Sequence, residues 1–441
     1  MQLFVLSCLL FVTSSYIIPE SSQEDKEAIY GDISQHLIGV KIKYFPEEKR
    51  YGIVATRDIR RYEPIAMFPI NIGIISFDQF PWYSYLYPLG DFTIIAGRLI
   101  YEKFINQYRH WGNIYVYTYP SEIDNLHNWT AAEHEYLLNI FQKKAEINFP
   151  LDYESGHADF VKALERIPSL KKDCPHCFTK EVWNWAYAIT ISHATEINKK
   201  QWKKIKEYPA QVGDENISGL CILPIVEMIK QESLPLKYRS ASEPVGISFQ
   251  GFPPAGVLSA DRNIKAHTEV IWSRGPRRNF NMAIGFGFVL DKNLDDCVMA
   301  ELPRIDYCPM KAQADSTACG FFAYYNNFNE DLFNYALKVQ GVELDHFVSD
   351  LDEYFDSLDT NEEVAAYYGA LIKYRDSVMT SVEKCKVPYR SIMRKMERGD
   401  YENNRYKMVD KICIGHYSTI FTHKKMTERA LLKSLLFELS L

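Results

Sequence analysis

The sequence contains no apolar run long enough to cross a bilayer and no long basic stretch. Its N-terminal apolar run covers only residues 3–12, whereas a spanning helix needs roughly 20. The net charge is −7, from 50 basic and 57 acidic residues, which offers a polyanion no concentrated positive surface. Internal repeats and low-complexity linkers are missing as well. These absences argue against a membrane span in the mature chain and against nucleic acid as a partner.

The start of the chain resembles a secretory signal peptide. The apolar residues 3–12 are followed by small residues at 13–15, as before a cleavage point, although the positively charged N-terminal region is missing. A mitochondrial presequence and an uncleaved anchor are the alternatives, and the segment lacks the Arg that such a presequence carries. The sequons Asn128-Trp-Thr130 and Asn216-Ile-Ser218 suit an oxidising lumen. We predict that residues 1–15 are a signal peptide and that the protein is secretory or extracellular, with mitochondria as the alternative.

The hydrophobic pattern changes type along the chain. Residues 38–75 alternate loosely and are rich in β-branched side chains, which predicts strands. The period becomes helical over residues 77–206. Strand signals return over residues 216–290 and include "NFNMAIGFGFVL" at 279–290. After about Pro309 the sequence predicts helix to the end of the chain.

Two of the predicted helices carry specific signals. Thr360 followed by Glu363 is a capping box that opens one helix. In "KEVWNWAYAITISHATEI" the residues that share one face at helical spacing are Val182, Trp185, Ala186, Ile189 and His193. We therefore expect His193 to point inward.

Five segments occur in an order that is informative when they are taken together. They are "RYGIVATRDI" (50–59), "LIYEKFINQYRHWGNIYVYTYP" (99–120), "WAYAITISHATEI" (185–197), "ILPIVEMIKQES" (222–233) and "IKAHTEVIWSRGPRRNFNMAIGFGFVLDKN" (264–293). In this order they resemble the motifs of the SET-domain methyltransferases of the Rubisco large-subunit and actin-histidine type. The resemblance extends from about Ile38 to the C-terminus.

The resemblance implies an α+β fold with a SET-like β core that is split by a helical insert and followed by an all-helical C-terminal domain. The expected boundaries are 1–15 for the signal peptide, 30–76 and 216–308 for the two parts of the SET core, 77–215 for the insert, and 309–441 for the C-terminal domain. In the family that last domain helps to hold the protein substrate. We accordingly expect a protein partner to bind there.

Family members bind S-adenosylmethionine beside the SET core, and two positions that contact it differ in this chain. The first Gly of the opening motif lets the backbone approach the cofactor closely, but Arg50 occupies that place and only Gly52 is retained. The Arg of the family's Ser-Arg-Ala helix is replaced by His193. A histidine is shorter and mostly neutral at pH 7. A packed core histidine is the alternative interpretation of His193.

Three further positions depart from the family pattern. The Asn-His pair that holds the amino-acid end of the cofactor is Lys230 and Gln231 here, and Lys offers donors but no acceptor to the cofactor's ammonium group. The catalytic Tyr is replaced by Arg274. Two like charges about 4 Å apart cost roughly 1 to 4 kcal/mol, so Arg274 would disfavour the sulfonium. The second Tyr is Phe286, which lacks the hydroxyl.

These changes predict a catalytically degenerate SET-domain protein with a structural or protein-interaction role. The predicted vestigial pocket comprises Arg50, Gly52, His193, Lys230, Gln231, Asn279 and Phe286, and neither a catalytic residue, a cofactor nor a metal is expected. The alternative is an active S-adenosylmethionine-dependent protein-lysine or protein-histidine N-methyltransferase. The replacement of residues that contact the cofactor, with the framework residues kept, favours the degenerate protein.

Two other segments suggest further functions. Cys174 and Cys177 in "DCPHCF" have the spacing of a thiol-disulfide exchange loop or of a structural disulfide. The preceding residues do not predict the strand that a redox fold of this kind requires. The aromatic-rich residues 321–339 are predicted either to form a partner-binding groove or to lie in the core.

Overall fold

The computed structural model describes most of the chain. The described residues are 18–69, 73–76, 80–106, 114–125, 128–140, 153–196, 219–231, 247–250, 255–260, 262–272, 278–291, 293–294, 296–303, 318–324, 328–342, 348, 351–358, 360–381 and 385–438. The predicted signal peptide lies outside them, as does the sequon at Asn216.

Strands pair in small sheets over the described part of the chain. They are β1 (Val40–Phe45), β2 (Arg50–Ala55), β3 (Pro64–Pro69), β4 (Ile74–Ile75), β5 (Thr195–Glu196), β6 (Leu220–Ile222), β7 (Lys230–Gln231), β8 (Ile247–Gln250), β9 (Ala255–Ser259), β10 (Ile271–Trp272), β11 (Cys297–Pro303) and β12 (Ala318–Tyr324). The sheet orders are β1-β2, β3-β9-β8, β4-β6-β5, β10-β7 and β11-β12. Only β7 and β10 pair in parallel among these described strands.

The helices occupy the middle and the end of the chain. They are α1 (Gln23–Ser34), α2 (Tyr83–Leu86), α3 (Asp91–Ile100), α4 (Ala131–Ile140), α5 (Tyr153–Leu164), α6 (Leu170–Asp173), α7 (Lys180–His193), α8 (Asn279–Phe286), α9 (Glu330–Val339), α10 (Leu351–Asp356), α11 (Asn361–Met379), α12 (Tyr389–Arg398) and α13 (Asn404–Glu438). No helix in the described ranges combines the length and apolarity needed to cross a membrane. A π-helical turn, Tyr101–Ile105, continues α3.

The strands predicted for residues 38–75 are confirmed by β1 to β4. In the hairpin β1-β2, Lys43 pairs with Gly52 and Phe45 pairs with Arg50. Tyr51 packs against Tyr30 of α1, with ring centroids 4.5 Å apart. Helix α1 therefore covers one side of the hairpin that carries the glycine motif.

The segment 279–290 does not form the predicted strand, because its first eight residues form helix α8. Two tertiary contacts stabilise this helix and could not be derived from hydrophobic alternation. The Asn279 side chain exchanges hydrogen bonds of 2.9 Å with the backbone of Leu290, and the Asn279 amide N–H donates to Asp296. Gly287 ends the helix with a φ of +75°, a conformation that suits glycine.

The helical prediction after Pro309 is also wrong in one place. Residues Ala318–Tyr324 form β12, which pairs antiparallel with β11 over its whole length. Small and large residues alternate only weakly in "ACGFFAY", and the segment is rich in aromatic residues. The sequence therefore offers no clear indication of a strand. The helices α9 and α11 pack on this strand pair. The C-terminal region is consequently not all-helical.

Three clusters of buried side chains form the core. The first unites the strands of the N-terminal half with α3 and α7, and the second lies around β11, β12, α9 and α11. The third joins Trp129 and Leu137 from the insert to Phe280 of α8 and Cys413 of α13. The insert and the C-terminal helices are thus held together by a shared apolar cluster.

Four cysteines form two disulfides in the described residues. Cys174 bonds to Cys177, which is compatible with both sequence-based alternatives, and Cys385 bonds to Cys413. The second bond ties the segment before α12 to α13. Two further described cysteines, Cys221 and Cys297, are buried thiols.

Candidate functional site

The glycine of the opening motif is covered by side chains of this same chain. A Cβ placed on Gly52 would lie 2.6 Å from Glu269 Oε1, 2.7 Å from the ring of Phe45 and 2.8 Å from the guanidinium of Arg50. At distances below 3.0 Å one of these side chains would have to shift to admit a further group. The face of Gly52 is therefore covered by side chains of Glu269, Phe45 and Arg50.

Arg50 is held in place by two carboxylates. Its guanidinium donates to Glu269 at 2.6 and 3.1 Å and to Glu48 at 2.7 Å. The hydrogen bond that Arg50 donates to Glu269 raises the pKa of Arg50, while the partial burial of the guanidinium opposes this rise. Because a bidentate Arg-carboxylate pair is geometrically specific, Arg50 and Glu269 form a fixed cover over Gly52.

Lys230 lies near the same hairpin. It is half-buried in β7, where it pairs with Ile271 of β10. The hydrogen bond from Arg50 lowers the pKa of Glu48, and the charge of Lys230 adds to this effect. Arg50, Gly52 and Lys230 are thus brought into one region, although 178 residues of sequence (230 minus 52) separate Gly52 from Lys230.

A tight turn precedes Lys230 in the chain. Ile225 has a φ of +67° and is followed by a single helical turn, Val226–Met228. All residues from Leu220 to Val226 are buried, which explains why so apolar a run precedes a lysine at the edge of the core. Gln231 pairs through its backbone with Trp272. Its side chain is outside the described atoms.

Arg274 also lies outside the described residues, together with its neighbours Ser273 and Gly275. Its proposed position beside a sulfonium is a prediction from the sequence alone.

His193 occupies the last turn of α7 and is half-buried. Its Nδ1 lies 3.1 Å from the carbonyl oxygen of Ile189 and 2.6 Å from the Ser192 hydroxyl. Its ring packs 5.1 Å from that of Tyr119. These contacts are those of a packed side chain, the alternative interpretation given above.

Asn279 and Phe286 belong to helix α8. Asn279 is buried, and its amide oxygen and nitrogen both bind the backbone of Leu290. The half-buried Phe286 has its ring 6.1 Å from that of Phe288. In this structure Asn279 closes the turn after α8, which is a framework role.

The Cys174–Cys177 disulfide is accompanied by a histidine. Nε2 of His176 lies 3.2 Å from Cys174 Sγ, and the three residues form a cluster whose ligand atoms all lie within 4.8 Å of one another. The two cysteines are 1% and 0% exposed. Oxidation occupies both sulfurs in the disulfide, so this structure presents no thiolate for a metal.

Three aromatic residues of the segment 321–339 lie in the core. Phe321, Phe333 and Tyr335 are at most 2% exposed, and they belong to the second cluster. These residues agree with the core alternative, and a partner-binding groove elsewhere in the segment stays a prediction.

Sequence reasoning missed a buried lysine in the second motif. Lys103 is 3% exposed, and its Nζ lies 5.0 Å from the ring centroid of Tyr117 and 5.8 Å from that of Trp185. Burial lowers its pKa to about 8, and the charge of Lys26 acts in the same direction. The π-helical turn that buries it could have been suspected only from the lysine's place within an apolar run.

We expect Lys103→Met to stabilise the protein at pH 7 by roughly 1 to 3 kcal/mol. The folded-state pKa is depressed from 10.5 to about 8, so only the unfolded state holds the proton between these values. Wild-type stability should therefore rise with pH across this window and approach that of the variant. Urea unfolding of both proteins at a series of pH values measures the difference.

The control for this prediction is Lys162→Met, because the Lys162 side chain is 75% exposed. It should leave the free energy of unfolding nearly unchanged at every pH. A difference between wild type and Lys103→Met that stays constant from pH 7 to 10.5 would contradict the assignment of the shift to Lys103.

Comparisons with known proteins bear on the fold. No protein-family model and no curated protein sequence matches the chain. The solved structure of the SET domain of LSMT bound to lysine and AdoHcy matches with a TM-score of 0.59 and 15% identity, over 94% of this chain and 93% of that one. Rubisco LSMT bound to sinefungin and monomethyllysine matches with a TM-score of 0.58 and 14% identity, over 94% and 93%.

A third solved structure, Rubisco LSMT bound to AdoMet, matches with a TM-score of 0.52 and 14% identity, over 95% of this chain and 93% of that one. The chain therefore has the SET-domain fold, in the architecture of the Rubisco LSMT structures. The likeness extends over nearly the full length of both chains, which includes the insert and the C-terminal region.

Proposed function

We propose that this SET-fold protein no longer transfers methyl groups and acts as a structural or protein-interaction component. The observation that carries the proposal is the cover over Gly52, formed by Glu269, Phe45 and Arg50 within 2.8 Å of a Cβ built there. A cofactor that approached this backbone would have to displace a bidentate ion pair.

The exclusion at Gly52 is mainly steric. The charge of Arg50 is matched by Glu48 and Glu269, so the guanidinium adds little net repulsion toward a positively charged methyl donor. Lys230 contributes a further positive charge beside the hairpin. Lysine cannot accept a hydrogen bond from an ammonium group. Shape at Gly52 and hydrogen-bonding character at Lys230 therefore both disfavour S-adenosylmethionine.

Isothermal titration calorimetry with S-adenosylmethionine and S-adenosylhomocysteine tests the proposal on the full chain. We expect no saturable heat with either compound at up to about 1 mM, which corresponds to a binding free energy weaker than about −4 kcal/mol. S-adenosylhomocysteine lacks the sulfonium charge but keeps the ammonium group, so exclusion of both compounds would show that repulsion of the sulfonium is not the cause. Micromolar binding of either compound would refute the proposal.

The alternative, an active protein-lysine or protein-histidine N-methyltransferase, draws support from the solved structures with AdoMet or AdoHcy that share this fold. Incubation of the purified protein with S-adenosylmethionine labelled in its methyl group and a mixture of proteins separates the two functions. Label on any protein that is absent when this chain is omitted or heat-denatured would establish this alternative.

Thiol-disulfide exchange at Cys174 and Cys177 is favoured by one contact, the 3.2 Å approach of His176 Nε2 to Cys174 Sγ. Exchange needs access of a thiolate to a sulfur, and both cysteines are buried. We therefore expect Cys177→Ser to trap no mixed disulfide with a partner on a non-reducing gel. A trapped partner that disappears in Cys174→Ser/Cys177→Ser would establish exchange.

A further inference from the structure

An aromatic step on the C-terminal helices exposes part of its surface to solvent. It consists of Val387, Tyr389, Tyr417 and Phe421. The rings of Tyr389, Tyr417 and Phe421 are each 5.9 Å from one another. Phe421 is 43% exposed and Val387 is 37% exposed. Phe421 and Val387 are therefore exposed beside the packed tyrosine rings. Together these side chains form an apolar surface.

The aromatic step is held rigidly. The disulfide between Cys385 and Cys413 fixes the segment before α12 onto α13. The Tyr417 hydroxyl lies 2.9 Å from both the Cys385 and the Val387 carbonyl oxygens, to which it donates. Both ends of the step are therefore anchored, and a partner would not have to order them on binding.

Cations that flank the aromatic step lack carboxylate partners among the described residues. Lys386 and Arg390 adjoin Val387 and Tyr389 in the chain, and Lys425 follows Phe421 by one helical turn; all three are exposed. Arg394 lies one turn beyond Arg390 and is exposed and unpaired as well. Salt bridges within the described residues involve none of these four side chains.

Other cations on α12 and α13 form ion pairs with carboxylates. Lys395 pairs with Asp410, Lys411 with Asp291, and Arg405 with Asp124 and Glu133. Exposed ion pairs also occur on these helices, as between Arg398 and Asp400 and between Lys424 and Glu428, whereas Lys386, Arg390, Arg394 and Lys425 face solvent. The local excess of positive charge contrasts with the overall charge of −7.

We propose that the aromatic step binds a protein segment that carries an aromatic side chain between carboxylates. The ring would pack on Phe421 and Val387, and the carboxylates would pair with Lys386, Arg390 and Lys425. Aromatic anchors supply most of the energy in such interfaces, and the flanking charges supply orientation and association rate. This inference rests on the proposed interaction role and names the chemistry of the partner.

Fluorescence anisotropy with a labelled peptide, Glu-Asp-Glu-Phe-Glu-Asp-Glu, tests the proposal on the full oxidised chain. We expect saturable binding that weakens at least tenfold in Phe421→Ser and in Lys386→Glu/Arg390→Glu, and that falls with added salt. Replacement of the peptide's Phe by Ala should weaken binding to a similar degree. Matched controls are Phe92→Ser, which changes a side chain 44% exposed elsewhere, and Lys162→Glu/Lys172→Glu, which reverse exposed charges elsewhere.

The outcomes separate this proposal from the proposed function. Absence of peptide binding, or equal losses in the control variants, overturns the aromatic step as a binding surface whatever the calorimetry with S-adenosylmethionine shows. Binding to vesicles of anionic lipid that is lost in Phe421→Ser, without peptide binding, overturns it in favour of a membrane surface. The substituted residues lie on α12, on α13 and in the segment before α12. Thermal melts of each variant therefore serve to check that it remains folded.

Discussion

Gly287→Ala is expected to lower the free energy of unfolding by about 3 kcal/mol or more. Gly287 has a φ of +75° at the end of α8, and a Cβ there would lie 2.4 Å from the backbone carbon of Asp124 and 2.7 Å from the amide nitrogen of Asn125. A backbone cannot move aside as a side chain can. Chemical denaturation of the variant, followed by circular dichroism, measures the loss.

The matched control is Gly399→Ala at the end of α12. Gly399 has a similar φ of +70°, but a Cβ there would meet no atom within 4 Å. This variant should lose only the cost of the left-handed conformation, roughly 1 to 2 kcal/mol. Equal losses in the two variants would contradict the close approach of the insert to Gly287.

Arg405→Ala is expected to destabilise the protein by about 2 to 4 kcal/mol, because it leaves a buried carboxylate without its counter-ion. The Arg405 side chain is 15% exposed and reaches from α13 to the insert, where it contacts Asp124 and Glu133 at 2.9 Å. Glu133 is 6% exposed on its side chain. Burial raises its pKa, but hydrogen bonds from Thr130 and Arg405 hold the net pKa below the usual value.

The control for Arg405 is a surface ion pair. Arg57 pairs with Glu63, and its side chain is 48% exposed, so Arg57→Ala should cost no more than about 1 kcal/mol. Denaturant titrations of the two variants compare them directly. If Arg405→Ala costs as little as Arg57→Ala, then the insert and the C-terminal helices are not joined by this side chain.

The sequence allowed correct prediction of features that local patterns specify. The capping box of Thr360 and Glu363 is present, with the Thr360 hydroxyl accepting from the Glu363 amide. The apolar face of α7 is buried through Val182, Trp185 and Ile189. The SET-domain fold was predicted from motif order, and the solved structures of the same fold agree.

Other features depend on contacts between residues that are distant in the sequence. The partner of Arg50 is Glu269, 219 positions away, and no spacing rule connects an arginine in a hairpin to that glutamate. Helix α8 looked like a strand because its apolar residues fit either period, and the contacts of Asn279 decide between them. The pairing of Cys385 with Cys413 likewise could not be chosen from the nine cysteines of the chain.

The ion pair over Gly52 also constrains how this chain could change. Replacing Arg50 alone would leave the largely sheltered carboxylate of Glu269, whose side chain is 15% exposed, without its bidentate partner. Replacing Glu269 alone would remove the bidentate partner of Arg50 and leave it the hydrogen bond to Glu48. Each single step away from the closed arrangement is therefore penalised, and reopening the glycine face requires coordinated substitutions at two positions. Such mutual dependence would keep a lineage in the closed form once it had arisen.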